Sequence, residues 1–110
     1  MRSLSIVLIL GALTACASSG GYLEYKPDHW EGLNWAITGR ADADTVIIKI
    51  NDTDVIFGDL TKQKPEDEFT GSFEGYNISA KCQLVNAGTD TAKHNCSVSV
   101  DDKLAGKLSF

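Results

Sequence analysis

The sequence predicts an all-β fold, a small antiparallel sandwich or barrel of about six or seven strands built from hairpins, with one disulfide. From residue 33 onward, apolar and polar residues alternate with the period of two that is typical of a half-buried strand. Short segments rich in glycine, aspartate and asparagine separate these stretches, and such residues favour tight turns. After the first sixteen residues, no segment carries a helical repeat of useful length.

The segment that precedes the strands has the composition of an export signal. It has a cation at Arg2, an apolar run from Leu4 to Leu13 and small residues ahead of Cys16, in the order that a secretory signal requires. The apolar run is shorter than the roughly 20 residues that cross a bilayer. We therefore predict that residues 1–15 are a cleaved signal peptide.

The residues Leu13-Thr14-Ala15-Cys16 resemble the lipobox of bacterial lipoproteins. The resemblance implies that the Cys16 thiol carries a diacylglyceryl group and that acyl chains such as palmitate anchor the protein in the bacterial cell envelope. Each buried methylene contributes about 0.8 kcal/mol to such an anchor. An Asp after the cysteine favours the inner membrane in this class, so Ala17 implies the outer membrane. A plain secretory signal that is cut before Cys16 is the alternative.

Two regions follow the signal. Residues 16–21 comprise the lipidated Cys16 and a flexible tether of small residues, and residues 22–110 are long enough for a single β domain only. The chain has a formal net charge of −5 and no cluster of lysine or arginine. Nucleic-acid binding is therefore not expected.

Cys82 and Cys96 remain as a pair once Cys16 is assigned to lipid. We expect them to form a disulfide, because the periplasm is oxidising and small exported domains depend on such bonds. The bond would contribute about 3 kcal/mol in the chain-entropy model. Two buried free thiols are the alternative, and the spacing is not the C-x-x-C of a redox motif.

Aromatic residues are dense between residues 22 and 35. A short strand is predicted at Tyr22–Tyr25, and a second strand, with Leu33, Trp35 and Ile37 inward, is predicted to end near Gly39. The candidate binding residues are Tyr22, Tyr25, Trp30 and Trp35. Their alternative role is to cap the core of a small β domain.

The first hairpin joins residues 45–50 to residues 53–57 across Asn51-Asp52. A two-residue turn would place Ile48 opposite Val55, Val46 opposite Phe57 and Lys49 opposite Asp54. Ile47 and Ile56 would then lie together on the reverse face.

Two further hairpins are predicted. A turn at Glu74-Gly75 pairs Phe73 with Tyr76, Gly71 with Ile78, Phe69 with Ala80 and Glu68 with Lys81. In the last hairpin, a three-residue loop at 101–103 is preferred over a two-residue turn, because it aligns one apolar face across the two strands. That face comprises Cys96, Val98, Val100, Leu104, Gly106, Leu108 and Phe110.

The sequence offers no catalytic constellation. His29 lies in an ordinary polar loop and His94 is expected to be a structural residue on the inner face. The acid pairs Asp42/Asp44 and Asp52/Asp54 lack the further ligands of a calcium loop, so we predict no metal site and no cofactor.

The function that we predict is a non-catalytic binding or assembly module of the envelope. Its partners would be the membrane, through the lipid on Cys16, and an envelope or extracellular protein. Exposed strand edges offer one mode of attachment, and inhibition of a basic hydrolase such as lysozyme is one specific version. An envelope enzyme or small-ligand carrier, or a purely structural lipoprotein, are the alternatives.

Overall fold

The computed structural model describes residues 21–110, which form eight antiparallel strands. The strands are β1 (Tyr22–Tyr25), β2 (Trp35–Asp42), β3 (Thr45–Ile50), β4 (Thr53–Asp59), β5 (Glu66–Phe73), β6 (Tyr76–Val85), β7 (Lys93–Val100) and β8 (Lys103–Ser109). The predicted signal peptide, Cys16 and the tether up to residue 20 lie outside the described residues.

Each half of the domain is a four-stranded meander. One sheet has the order β1-β2-β3-β4 and the other β5-β6-β7-β8. The inward side chains of both sheets form one core, which includes Ile37, Ile48, Ile56, Ile78 and Val98. This confirms the all-β class and resolves it as a sandwich, with eight strands instead of six or seven. Burial of each such aliphatic side chain contributes about 1.5–3 kcal/mol.

The predicted disulfide is confirmed. Cys82 on β6 and Cys96 on β7 are directly opposite in the register, with a Cα–Cα distance of 4.0 Å, and are joined through their sulfurs. Both are buried on the inner face. The bond therefore staples the two central strands of the second sheet from within the core.

The two sheets repeat the same local design. The β3–β4 turn, Asn51-Asp52, and the β7–β8 turn, Asp101-Asp102, have positive φ at both residues, as the twist of a two-residue hairpin requires. Asn51 N donates to Ala36 O (2.8 Å), and Asn51 Oδ1 accepts from Ala36 N (2.9 Å). Asp101 makes the equivalent bonds with Asn77, both at 2.8 Å.

A bulge in β4 changes the predicted register of the first hairpin. Lys49 lies opposite Asp54 as predicted, with 3.8 Å between Nζ and Oδ1, but beyond this pair Ile48 pairs with Ile56 and Ile47 with Phe57. The predicted pairs Ile48–Val55 and Val46–Phe57, and the grouping of Ile47 with Ile56, are therefore wrong. The extra residue allows Ile56 to enter the core and turns Phe57 outward.

The β7–β8 hairpin has a related bulge. The predicted three-residue loop is wrong, because Val100 pairs with Lys103 across the two-residue turn. The register then shifts between Val98 and Ser99, so Val98 pairs with Gly106 and Cys96 with Leu108, as predicted. Leu104, expected inside, is 60% exposed.

The predicted pairing of β5 with β6 is confirmed, whereas the predicted bounds of the second strand are corrected. All the pairs predicted for β5 and β6, from Phe73–Tyr76 to Glu68–Lys81, are confirmed. The second strand begins at Trp35 and continues to Asp42, beyond the predicted end near Gly39. Leu33, predicted to face inward, lies in the preceding loop with 89% of its surface exposed.

The edges of the two sheets lie against each other along two seams. Between β4 and β5, a Cβ at Gly71 would overlap the carbonyl oxygen of Val55, and a Cβ at Gly58 would overlap the ring of Phe69. Between β1 and β8, a Cβ at Gly106 would lie 2.9 Å from a methyl group of Leu23. Glycine allows the backbone of Val55 and the side chains of Phe69 and Leu23 to approach closely at these points, and the edges are thereby partly covered.

Candidate functional site

The connections between strands gather at two ends of the sandwich. The loop end contains the connections 26–34, 51–52, 74–75 and 101–102. The tether end contains the connections 43–44, 60–65 and 86–92, together with Gly21 and Phe110. Phe110 forms two backbone hydrogen bonds with His94, and Gly21 O accepts from Gly39 N (2.9 Å). Strand β1 therefore starts at the tether end and runs towards the loop end.

The β1–β2 connection is the point at which the first sheet differs most from the second. Tyr25 and Trp35 are directly opposite in the first sheet, as Phe73 and Tyr76 are in the second. The second sheet closes this gap with the two residues Glu74-Gly75, whereas the first sheet uses the whole of residues 26–34. Hairpin geometry alone does not require the longer connection.

An aromatic cluster lies under this connection. Trp35 is fully buried at its centre and makes edge-to-face contacts with Trp30 (5.5 Å between ring centroids), Phe73 (5.0 Å) and Tyr76 (5.2 Å). Within the described residues, Trp35 Nε1 has no hydrogen-bond partner. Trp30 Nε1 donates to Leu33 O (2.9 Å), which holds the half-buried Trp30 ring over the end of the core.

The structure separates the four aromatic residues that the sequence singled out. Trp30 and Trp35 are in contact, and Tyr25 packs at the same end beside Trp35. Tyr22 lies near the tether end, where its hydroxyl donates to Glu24 Oε2 (2.6 Å) and this bond raises the pKa of Tyr22. Phe73 and Tyr76 complete the cluster. The sequence signal that could have identified these two residues is their position on either side of the turn Glu74-Gly75.

Asp28 attaches the long connection to the second sheet. Its backbone carbonyl accepts a hydrogen bond from Tyr76 Oη (2.9 Å), and its carboxylate pairs with Lys103 Nζ. The hydrogen bond that Lys103 Nζ donates to this carboxylate and the positive charge of Lys103 lower the pKa of Asp28, and the same contact raises the pKa of Lys103. Both side chains are largely exposed, so the pair orders the loop more than it stabilises the fold.

A cavity of about 260 Å³ opens beside this pair. Tyr25, Pro27, Tyr76 and Val100 supply its apolar and aromatic walls, and its polar lining is Asp28, His29, Asp101 and Lys103. It is smaller than the roughly 300–1,000 Å³ of drug-sized ligand sites. Two wider depressions, of about 500 and 520 Å³, lie over the polar outer face of the second sheet. Their lining is mainly hydroxyl, amide and charged side chains.

The histidines occupy unrelated settings. His29 is exposed in the 26–34 connection with a φ of 66°. His94 is at the tether end, stacked on Phe110 with 5.6 Å between ring centroids. Across residues 21–110, no group of three or more His, Cys, Asp or Glu side chains is arranged to hold a metal ion.

Comparison of the chain with family models, curated proteins and solved structures finds no match. In the part of the chain that the structure describes, no helix is both long enough and apolar enough to cross a membrane.

Proposed function

We propose that the protein is a lipid-anchored, non-catalytic binding module of the bacterial cell envelope and that its loop end contacts a protein partner. The anchor is the lipid that the lipobox resemblance implies on Cys16, in the outer membrane. The observation that carries the binding role is the 26–34 connection, which occupies nine positions where the other sheet needs only Glu74-Gly75. It displays Leu33 almost fully to solvent and Trp30 in part.

The direction of the chain supports this choice of end. Gly21 lies at the tether end, five positions after Cys16, and a short tether spans at most about 3.6 Å per residue. A strand such as β6, with ten residues, extends about 33 Å towards the loop end. The loop end is therefore the end of the domain opposite the proposed lipid attachment.

Two other modes of action have less support. The edge strands of each sheet pack beside an edge of the other sheet, at Gly71–Val55 and Gly106–Leu23, so addition of a partner strand is not part of the proposal. His29 and His94 lie at opposite ends of the sandwich and cannot act together in one site. We therefore assign no catalytic role.

Affinity capture from envelope extracts tests the proposal. The bait begins at Gly21, because residues 21–110 hold both sheets, the core and the disulfide. Leu33→Ser should release a partner that binds the loop end. Phe57→Ser, which removes an apolar side chain that is 59% exposed on β4, is the matched control and should retain the partner.

A second variant replaces residues 26–34 by Glu-Gly, the turn of the other sheet. We expect it to keep the disulfide and the strand content but to lose capture. Capture that survives in both Leu33→Ser and the shortened variant would contradict the proposed function, as would the absence of any saturable partner.

A further inference from the structure

The two ends of the sandwich differ in charge. Residues 21–110 carry a formal charge of −6, because the chain's −5 includes Arg2. The connections at the loop end hold six of the carboxylates and only one lysine, Lys26. The acids are Asp28, Glu31, Asp52, Glu74, Asp101 and Asp102. At the tether end, the two acids and two lysines of the connections cancel. The connections of the loop end therefore carry a formal charge of −5 and those of the tether end carry none, while Lys103 at the start of β8 adds one positive charge to the loop end.

A cavity lies at this negatively charged end of the sandwich. Two tyrosines, Tyr25 and Tyr76, and two aspartates, Asp28 and Asp101, are among the residues that line it. Its volume of about 260 Å³ suits one long side chain better than a drug-sized ligand. Aromatic walls beside carboxylates are suited to a cation, which gains from both the ring faces and the charge–charge attraction.

One cation of the protein already reaches this site. Lys103 lines the cavity and pairs with the Asp28 carboxylate. An exposed pair of this kind is weak, so a partner cation with better geometry can displace Lys103. The second carboxylate, Asp101, uses Oδ1 to accept from Asn77 N (2.8 Å). Its other oxygen has no protein donor among the hydrogen bonds of the described residues.

We infer that this cavity receives an arginine side chain of a basic protein partner, with Asp28 and Asp101 as its anionic contacts and Tyr25 and Tyr76 as its walls. The inference rests on the proposed function and specifies the chemistry of the partner. Arginine fits better than lysine, because the guanidinium group is planar, is weakly hydrated and stacks on aromatic rings. Until the partner binds, Lys103 remains paired with the Asp28 carboxylate.

Tryptophan fluorescence provides a local test. Both tryptophans of the chain, Trp30 and Trp35, belong to the cluster at this end, and each contacts the cavity wall Tyr76. The purified chain in non-ionic detergent is titrated with acetyl-Gly-Arg-Gly-amide. The control peptide has citrulline, which keeps the shape of arginine without its charge. We expect a saturable change with arginine and binding about tenfold weaker with citrulline.

Two pairs of variants locate the binding. Lys103→Gln frees Asp28 and should tighten binding of the arginine peptide about threefold. Lys107→Gln removes the same charge from the outer face of the second sheet, opposite Ser97, and should leave binding unchanged.

Asp101→Asn should weaken binding about threefold while keeping the fold, since Asn51 makes the same bonds in the first sheet. Asp102→Asn, beside it but not in the cavity lining, is the matched control and should bind as the unaltered chain does.

Three outcomes would overturn the inference: equal responses to the two peptides, no saturable response, or unchanged affinity in Lys103→Gln. Each of these leaves the proposed function standing if capture from envelope extracts still depends on Leu33. Conversely, capture that survives in both Leu33→Ser and the shortened variant rejects the proposed function even where the arginine peptide binds.

Discussion

Asn51 and Asp101 hold equivalent positions in the two sheets, and each uses its side-chain oxygen and its backbone N–H to bind one residue of the neighbouring strand. Each also starts a two-residue turn with positive φ. The similarity between the two sheets therefore includes individual hydrogen bonds as well as the order of the strands. Each bond of this kind contributes about 0.5–1.5 kcal/mol.

Alanine substitutions at the two positions of one turn separate this bond from backbone strain. Asp101 and Asp102 both have positive φ, so alanine pays a similar conformational cost at each position. Only Asp101 accepts a hydrogen bond from Asn77 N. We expect Asp101→Ala to lower the free energy of unfolding by about 1 kcal/mol more than Asp102→Ala, measured by urea denaturation. Equal losses would show that the bond adds no stability.

The disulfide should contribute about 3 kcal/mol to the free energy of unfolding. Ala41 and Val46 are the equivalent opposed pair in the first sheet, so the double variant Cys82→Ala/Cys96→Val tests the cross-link with side chains that the repeat already uses. Its denaturation midpoint should fall to that of the reduced protein and should not change further on adding reductant. Identical midpoints for the oxidised and reduced protein would contradict the prediction.

The β4–β5 seam should be intolerant of even one methyl group. A Cβ at Gly71 overlaps the carbonyl oxygen of Val55, which is backbone and cannot rotate away. We expect Gly71→Ala to cost about 1–3 kcal/mol. Ser72→Ala, at the next and exposed position of β5, should change stability by less than about 0.5 kcal/mol. Thermal unfolding of the two variants provides the comparison, and equal melting temperatures would mean that the seam adjusts.

The Asp28–Lys103 pair should give the loop end an acid-sensitive contact. The pKa of Asp28 is lowered by the hydrogen bond and charge of Lys103, so the pair is complete above the ordinary pKa of an aspartate and is lost as the pH falls through the lower, folded-state value. NMR titration of the Asp28 carboxyl carbon should report this value. In Lys103→Gln the pKa of Asp28 should return towards its ordinary value, and an unchanged titration would show that the pair does not form in solution.

The alternation of apolar and polar residues was sufficient to predict the strands but not the register in which they pair. The β5–β6 hairpin is regular, and every predicted pair from Phe73–Tyr76 to Glu68–Lys81 is present. In β4 and β8, one additional residue follows a regular two-residue turn, and the apolar pattern alone does not distinguish such a bulge from a longer loop. We predicted a regular register without a bulge for the first hairpin and a longer loop for the last, and both Ile48 and Val100 were therefore given the wrong partners.

The loop end could be predicted only in part, because its members come from different sheets. Trp30 and Trp35 are close in sequence and were identified from their density. Tyr76 and Lys103 join them through contacts with residues 28–35 that span about 40 to 75 positions of the chain. Local periodicity carries no information on how two sheets pack. The cavity and its Asp28–Lys103 pair could therefore be identified only from the structure.

The proposed lipid anchor makes a prediction that is independent of the fold. Labelled palmitate should be incorporated into the protein in a bacterial host and should be lost in Cys16→Ser. Cys82 and Cys96 are joined to each other and offer no free thiol for acylation. Ala17→Asp should move the protein from the outer-membrane to the inner-membrane fraction, as the lipobox resemblance implies, whereas Ala17→Ser should not. Label that persists in Cys16→Ser would refute the anchor, and unchanged fractionation of Ala17→Asp would refute the membrane assignment alone.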